Sequence, residues 1–83
     1  MDSIKPVKAK FKLENQVIEE NIMQSWTIGK IKGIIRKRLQ INIYHELQFL
    51  YLGQVLENNM KFKEIQYSPD NIIKVMAARP SEI

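Results

Sequence analysis

The sequence predicts an α+β domain in which one helix lies across a mixed sheet of four to five strands, and three observations carry that expectation. In KAKFKL, residues 8–13, apolar Ala9, Phe11 and Leu13 alternate with Lys8, Lys10 and Lys12, the two-residue period of a strand with one buried face. From Thr27 the period changes, and Ile28, Ile31, Ile35 and Leu39 recur at the spacing of one helix face. Two more apolar runs, near residues 47–52 and 72–77, supply further strands on either side of an irregular stretch.

Taken in order, Glu14, Asn15 and Gln16 interrupt the first strand and Val17, Ile18 and Ile22 resume the apolar content, which predicts a tight hairpin whose register the pattern leaves open. The Thr27 hydroxyl is placed to cap the first turn of the helix. Gly29 and Gly33 lie on that helix, each costing nearly 1 kcal/mol relative to alanine. They mark either the close approach of another backbone or, the reading the sequence favours, a tolerated weak point. Ile41, Ile43 and Leu47 lead into FLYLGQVLENN, residues 49–59, and Ser68-Pro69-Asp70-Asn71 has the residues of a type I turn before a last strand, Ile72 to Ala77. The expected organisation is a tail at 1–7, one domain at 8–78 and a tail at 79–83, without internal repeats.

A chain of 83 residues closes one hydrophobic core. With no cysteine it has no disulfide framework and no thiolate metal site, which fits a reducing compartment, the cytoplasm or nucleus. The start MDSIKPVK lacks the hydrophobic segment of a signal peptide, and no apolar run is long enough to span a bilayer, so no membrane partner is expected. Catalysis is not expected either: there is a single histidine, His45, beside Glu46, no glycine-rich phosphate loop and no carboxylates at metal-binding spacing. Neither cofactor nor metal is implied. The net charge of +4 is modest, but Lys30, Lys32, Arg36, Lys37 and Arg38 form a basic run with no acid among them. That run could contact phosphates, with Trp26 and Tyr44 as stacking candidates, or be an ordinary solvated helix face. Nucleic-acid binding is therefore the lesser alternative, since aromatic interleaving is sparse.

Particular residues go further than periodicity. TIGKIK at 27–32, LQFLYLGQVLEN at 47–58 and DNIIKVMA at 70–77 resemble ubiquitin-like domains in the same order and at nearly the same spacing. The resemblance covers most of the chain and implies a β-grasp fold. Alternation sets Leu47, Phe49 and Tyr51 on one face of a strand and Gln48, Leu50 and Leu52 on the other, but leaves the parity open because both sets are largely apolar. The resemblance implies that Leu50 points outward at the centre of the family's recognition patch and that Gly53 lies in the adjoining turn. By the same likeness Ile73 and Val75 are core, while Lys74 and Met76 flank Leu50. The expected protein-binding patch is thus Leu50, Gly53, Lys74 and Met76.

Departures from ubiquitin narrow the expected role. The chain as given ends AARPSEI, without the glycine pair of conjugated modifiers, and Gln54 and Pro69 stand at the positions of the most used chain-linking lysines. This implies a non-covalent interaction domain, with a conjugated modifier cut from a longer precursor as the alternative. The first hairpin is shorter than ubiquitin's, and its exposed tip leucine has no counterpart among Glu14, Asn15 and Gln16. Lys61 and Ile65 replace a threonine and a tyrosine that tie ubiquitin's last loop, so local hydrogen bonding should differ. NIIKVMAAR is similar to the last strand of proteasome-shuttle factors, whereas residues 49–54 and 70–75 fit SUMO-like domains nearly as well. The implied protein is a monomeric adaptor whose partner is a proteasome subunit or a ubiquitin-binding domain.

Overall fold

In the computed structural model, which describes residues 5–78, the first hairpin pairs β1 (Val7–Leu13) with β2 (Gln16–Ile22) around the two-residue turn Glu14-Asn15. A helix, α1 (Ile28–Arg38), is followed by β3 (Glu46–Tyr51), β4 (Gln54–Leu56), a short 3-10 turn (Phe62–Ile65) and β5 (Ile73–Ala78). The sheet order is β2-β1-β5-β3-β4, with β1 and β5 parallel in the centre and the other pairs antiparallel. The expected α+β class holds. The first strand begins at Val7, one residue inside the expected tail, and the last is Ile73–Ala78. Residues 1–4 and 79–83, which include the rest of both expected tails, lie outside the described residues.

Ile28, Ile31 and Ile35 form the buried stripe of α1 and share one core with Ala9, Phe11, Ile22, Leu47, Phe49, Tyr51, Leu56, Phe62, Ile73 and Val75. Phe11 and Phe49 meet across the sheet with ring centroids 5.4 Å apart and tilted planes, the geometry aromatic pairs prefer. Leu52 does not continue β3. It starts a two-residue turn with Gly53, and Tyr51 pairs with Gln54 across it.

Helix ends leave backbone groups without partners, and here each early donor is accounted for. Ile28 N–H donates to the Met60 carbonyl (2.7 Å), Gly29 N–H to the Asn58 carbonyl (3.0 Å) and Lys30 N–H to the Thr27 hydroxyl (3.2 Å), after which the regular ladder begins at Ile31. The loop after β4 is thereby stitched to the helix start. Amides of Phe62 and Lys63 add bonds to the carbonyls of Trp26 and Gln24. At the other end, Gln40 adopts a left-handed φ of 55°, and Gln40 and Ile41 donate to the Lys37 and Arg36 carbonyls in a Schellman closure.

The two helix glycines have different meanings. A methyl group on Gly29 would sit 3.4 Å from the Asn58 carbonyl oxygen, so the close approach of a second backbone, the less favoured reading of the sequence, applies at that position. At Gly33 it would meet open space, which leaves the weak-point reading.

The loop into β5 is organised by the hydroxyls of two tyrosines, Tyr67, which the sequence did not single out, and Tyr51, expected only as a strand residue on the face of Leu47 and Phe49. Pairing of β1 with β5 begins only at Phe11 and Ile73, so the Lys10 amide lies beyond its reach and donates instead to the Tyr67 hydroxyl (3.0 Å). The Tyr51 hydroxyl accepts from Ser68 N–H (2.8 Å), and the expected turn closes with Asn71 N–H on the Ser68 carbonyl (3.0 Å). Lys61 N–H bonds the Glu64 carboxylate (2.8 Å).

Two outcomes test this packing. Phe49→Ala should lose about 3 kcal/mol or more through a cavity, and Leu50→Ala about 1 kcal/mol or less, in denaturant melts. Equal losses would mean the strand parity is wrong. Gly33→Ala should raise stability by about 0.5–1 kcal/mol, whereas Gly29→Ala should gain less because of the Asn58 contact.

Candidate protein-binding face

Pairing register carries the alternation of each strand across the whole sheet. Leu50 stands opposite Lys74, Lys74 beside Lys12, Lys12 opposite Val17, and Leu50 opposite Val55. The row Val17, Lys12, Lys74, Leu50, Val55 therefore runs over all five strands on the face away from the helix. Met76 stands opposite Gln48 one step along β5 and is 41% exposed, and Leu50 is half-buried among these neighbours. Leu50, Lys74 and Met76 are thus brought onto one surface, with Gly53 at its edge in the turn (φ 78°).

Three apolar residues at this surface lie outside the expected patch, although alternation already sets Leu52 on the Leu50 face of the strand. Val55 is 51% exposed, and the signal for it was the Leu50–Val55 pairing that any hairpin centred on Leu52-Gly53 enforces. Ile72, just before β5, and Leu52 line an open depression of about 370 Å³ together with Leu50, Gly53, Asp70, Asn71 and Lys74. Leu52 is 71% exposed and holds a left-handed φ of 51°, a conformation that costs a side-chain-bearing residue about 1–2 kcal/mol. Val17 is exposed as well, but three strand spacings, roughly 14 Å, separate it from Leu50. It does not replace the missing tip leucine.

The basic helix run is largely engaged within the chain. Lys30 Nζ lies 4.8 Å from the centre of the Trp26 ring, Arg36 donates to the Asn42 carbonyl (2.6 Å), and Arg38 pairs with Glu20 at 2.6 Å. Lys32 Nζ donates to Asn58 Oδ1 (2.6 Å), and Lys37 is exposed. Trp26 precedes the helix and Tyr44 lies in the loop after it, beyond opposite ends of an 11-residue helix about 16 Å long. His45 sits in the loop after the helix, its amide on the Asn42 carbonyl (3.0 Å). Among the described residues no group of three or more His, Cys, Asp or Glu is placed to hold a metal ion, and no helix is long and apolar enough to cross a membrane.

Lys32 lines a shallow groove with Gly29, Gly33, Arg36, Glu46 and Asn58. Partial burial pushes its pKa below the usual 10.5, and the Glu46 carboxylate acts against that shift. The folded state thus disfavours the ammonium at neutral pH, and the penalty fades as pH rises through the lowered value towards 10.5. In melts at a series of pH values, the stability of wild type relative to Lys32→Met should therefore improve from neutral to alkaline pH. A difference independent of pH would mean that Lys32 is not desolvated.

No protein-family model matches the sequence, and no curated protein matches it. Solved structures do. The chain is similar to the N-terminal ubiquitin-like domain of the 4931431F19Rik protein (TM-score 0.80, 16% identity, 98% of this chain and 83% of that one). It is similar to a ubiquitin-like domain of an Arabidopsis thaliana protein (TM-score 0.80, 14% identity, 100% and 88%). A third similar structure, described as molecular mimicry of SUMO that promotes DNA repair, has a TM-score of 0.78 at 10% identity over 90% of this chain and 95% of that one. At such identities the likeness is one of fold, and it does not separate the ubiquitin-like from the SUMO-like branch. With its helix across a five-stranded mixed sheet in the order β2-β1-β5-β3-β4, the chain has the ubiquitin-like β-grasp fold.

Proposed function

We propose that this chain is a non-covalent protein-interaction module that binds through the sheet face centred on Leu50. One observation carries the reading: Leu50 and Lys74 stand directly opposite each other on the face away from the helix, with exposed Met76 and Val55 on the neighbouring pairs. Such a contiguous apolar surface with a cation at its middle offers burial to a partner side chain and a charge to orient it. Methionine, unbranched and polarizable, adapts to an imperfect fit.

The module acts by binding alone, as a monomer in the cytoplasm or nucleus, and its partner belongs to the ubiquitin–proteasome system, a proteasome subunit or a ubiquitin-binding domain. The similarity in fold to ubiquitin-like domains supports this partner class. Burial at roughly 25 cal/mol per Å², less the ordering costs, implies micromolar affinity for so small a patch.

Titration of an isolated ubiquitin-binding domain, such as that of a proteasomal ubiquitin receptor, into the ¹⁵N-labelled protein tests the proposal. Resonances of Leu50, Gly53, Lys74 and Met76 should shift, Leu50→Ala should weaken binding about tenfold or more, and reversal of Lys30 and Arg36 to glutamate should change it little. Binding lost in those reversals but kept in Leu50→Ala would assign recognition to the basic helix.

A further inference from the structure

The lysines of β1 carry charge that the binding reading leaves unused. Ala9 and Phe11 belong to the core under the helix, so Lys8, Lys10 and Lys12 all stand on the opposite face of the sheet, with Lys8 and Lys12 exposed and Lys10 half-buried. Alternate residues of a strand lie about 6.6 Å apart, so these side chains rise from a straight row about 13 Å long. That step is comparable to the one between successive phosphates along a nucleic-acid strand. The β2 residues opposite are Asn21, Glu19 and Val17, so Glu19 is the acid within the row, and Glu14 lies past its end in the hairpin turn. Glu20, opposite Ala9, faces the helix side and pairs with Arg38. Among the described residues that is the one ion pair, so neither Glu19 nor Glu14 closes on a lysine of the row. On the other flank Lys74 stands beside Lys12 and lines a depression together with Asp70.

The chemistry of an occupant is restricted. β1 lies between β2 and β5, so no further strand can be added to it and only side chains are offered. Apart from Val17 at one end, no large apolar side chain accompanies the row, so recognition there is ionic. An ion pair at a protein surface contributes little, whereas a polyphosphate releases condensed counterions when lysines neutralise it. The aromatic side chains of the strands, Phe11, Phe49 and Tyr51, are all in the core, so this face offers no platform on which a base could stack. Contact with a nucleic acid is thereby confined to its backbone. A duplex, whose bases are already stacked, loses nothing by that.

We infer that Lys8, Lys10 and Lys12 form a docking row for the phosphate backbone of a nucleic-acid duplex, without readout of sequence. The row is a second binding function, distinct from the apolar surface around Leu50 and from the basic run of the helix. Each lysine meets one phosphate, and Glu19 holds the affinity down by repelling the same backbone.

Fluorescence anisotropy of a labelled DNA duplex of mixed sequence, titrated with the whole protein over a series of salt concentrations, tests this. Log affinity should fall against log salt with a slope of about −2.7, the value for three neutralised phosphates. Lys8→Gln, Lys10→Gln and Lys12→Gln should each make the slope shallower by about one, and the triple variant should bind about tenfold more weakly or worse at low salt. Glu19→Gln should tighten binding, a gain that damage to the fold cannot mimic. The same loss of charge on the helix, with Lys30, Arg36 and Lys37 all replaced by glutamine, should leave the slope unchanged. No binding at low salt, a slope that survives in the β1 triple variant, or a slope lost only with the helix charges would overturn the inference. So would tighter binding of a single strand of equal length, or of an acidic peptide of equal charge, either of which would give the row another occupant. All of these readouts are independent of the protein partner titrated against Leu50→Ala, so the binding reading stands or falls separately.

Discussion

The pairing of β3 with β5 is the constraint on which the rest of the molecule depends. Phe49 opposite Val75 and Leu50 opposite Lys74 are consecutive rungs of one ladder. Because side chains alternate, the same ladder sends the first pair into the helix and the second into solvent. A slip of one residue would bury a lysine and expose a phenylalanine, a loss far larger than any contribution from turns or caps. The hydrophobic content of β3 does not impose this choice, since Leu50 is as apolar as Leu47. It is imposed by the partner strand, where Ile73 and Val75 alternate with Lys74, and by the isoleucine stripe of α1, which shares one core with Phe11 of β1 and Phe49 of β3.

Everything else in the fold holds that ladder in place. Parallel pairing of β1 and β5 brings the first and last strands together in the middle of the sheet, so the sheet is continuous only with β5 in place. The segment between β4 and β5 has little regular structure, yet it supplies carbonyls to the helix start, an aromatic plug in Phe62, and two tyrosine hydroxyls that take up amides the ladder cannot reach. These bonds set the position of the helix over the sheet and the point at which β5 enters it. The proposed binding face is therefore the reverse side of a surface whose register is fixed from within.

Much of this was legible in the sequence where one physical signal dominated. The Lys/apolar alternation of β1 and the isoleucine spacing of α1 are each unambiguous, and the Thr27 cap follows from a hydroxyl at the right place. Parity in β3 was not legible from alternation and came only through likeness to ubiquitin-like domains. The Gly29 contact and the hydroxyl bonds of Tyr51 and Tyr67 depend on which distant strands and loops become neighbours, and local pattern carries no such information. Leu52 illustrates the limit in another way. Its type suggests a strand residue, whereas Gly53 after it and the register of the hairpin force it into a turn conformation that leucine adopts only at a cost.

On the binding reading proposed above, a partner sits on the sheet face around Leu50 and not on the helix face. Cross-saturation NMR reads this directly: protons of a bound, unlabelled partner are irradiated and the methyl groups of a deuterated, methyl-labelled domain report contact. Saturation should reach the methyls of Leu50, Leu52, Val55 and Met76 and leave dark those of Ile34, which lies half-buried on α1 outside its buried stripe. Saturation concentrated on Ile34, with Leu50 and Met76 unaffected, would contradict it.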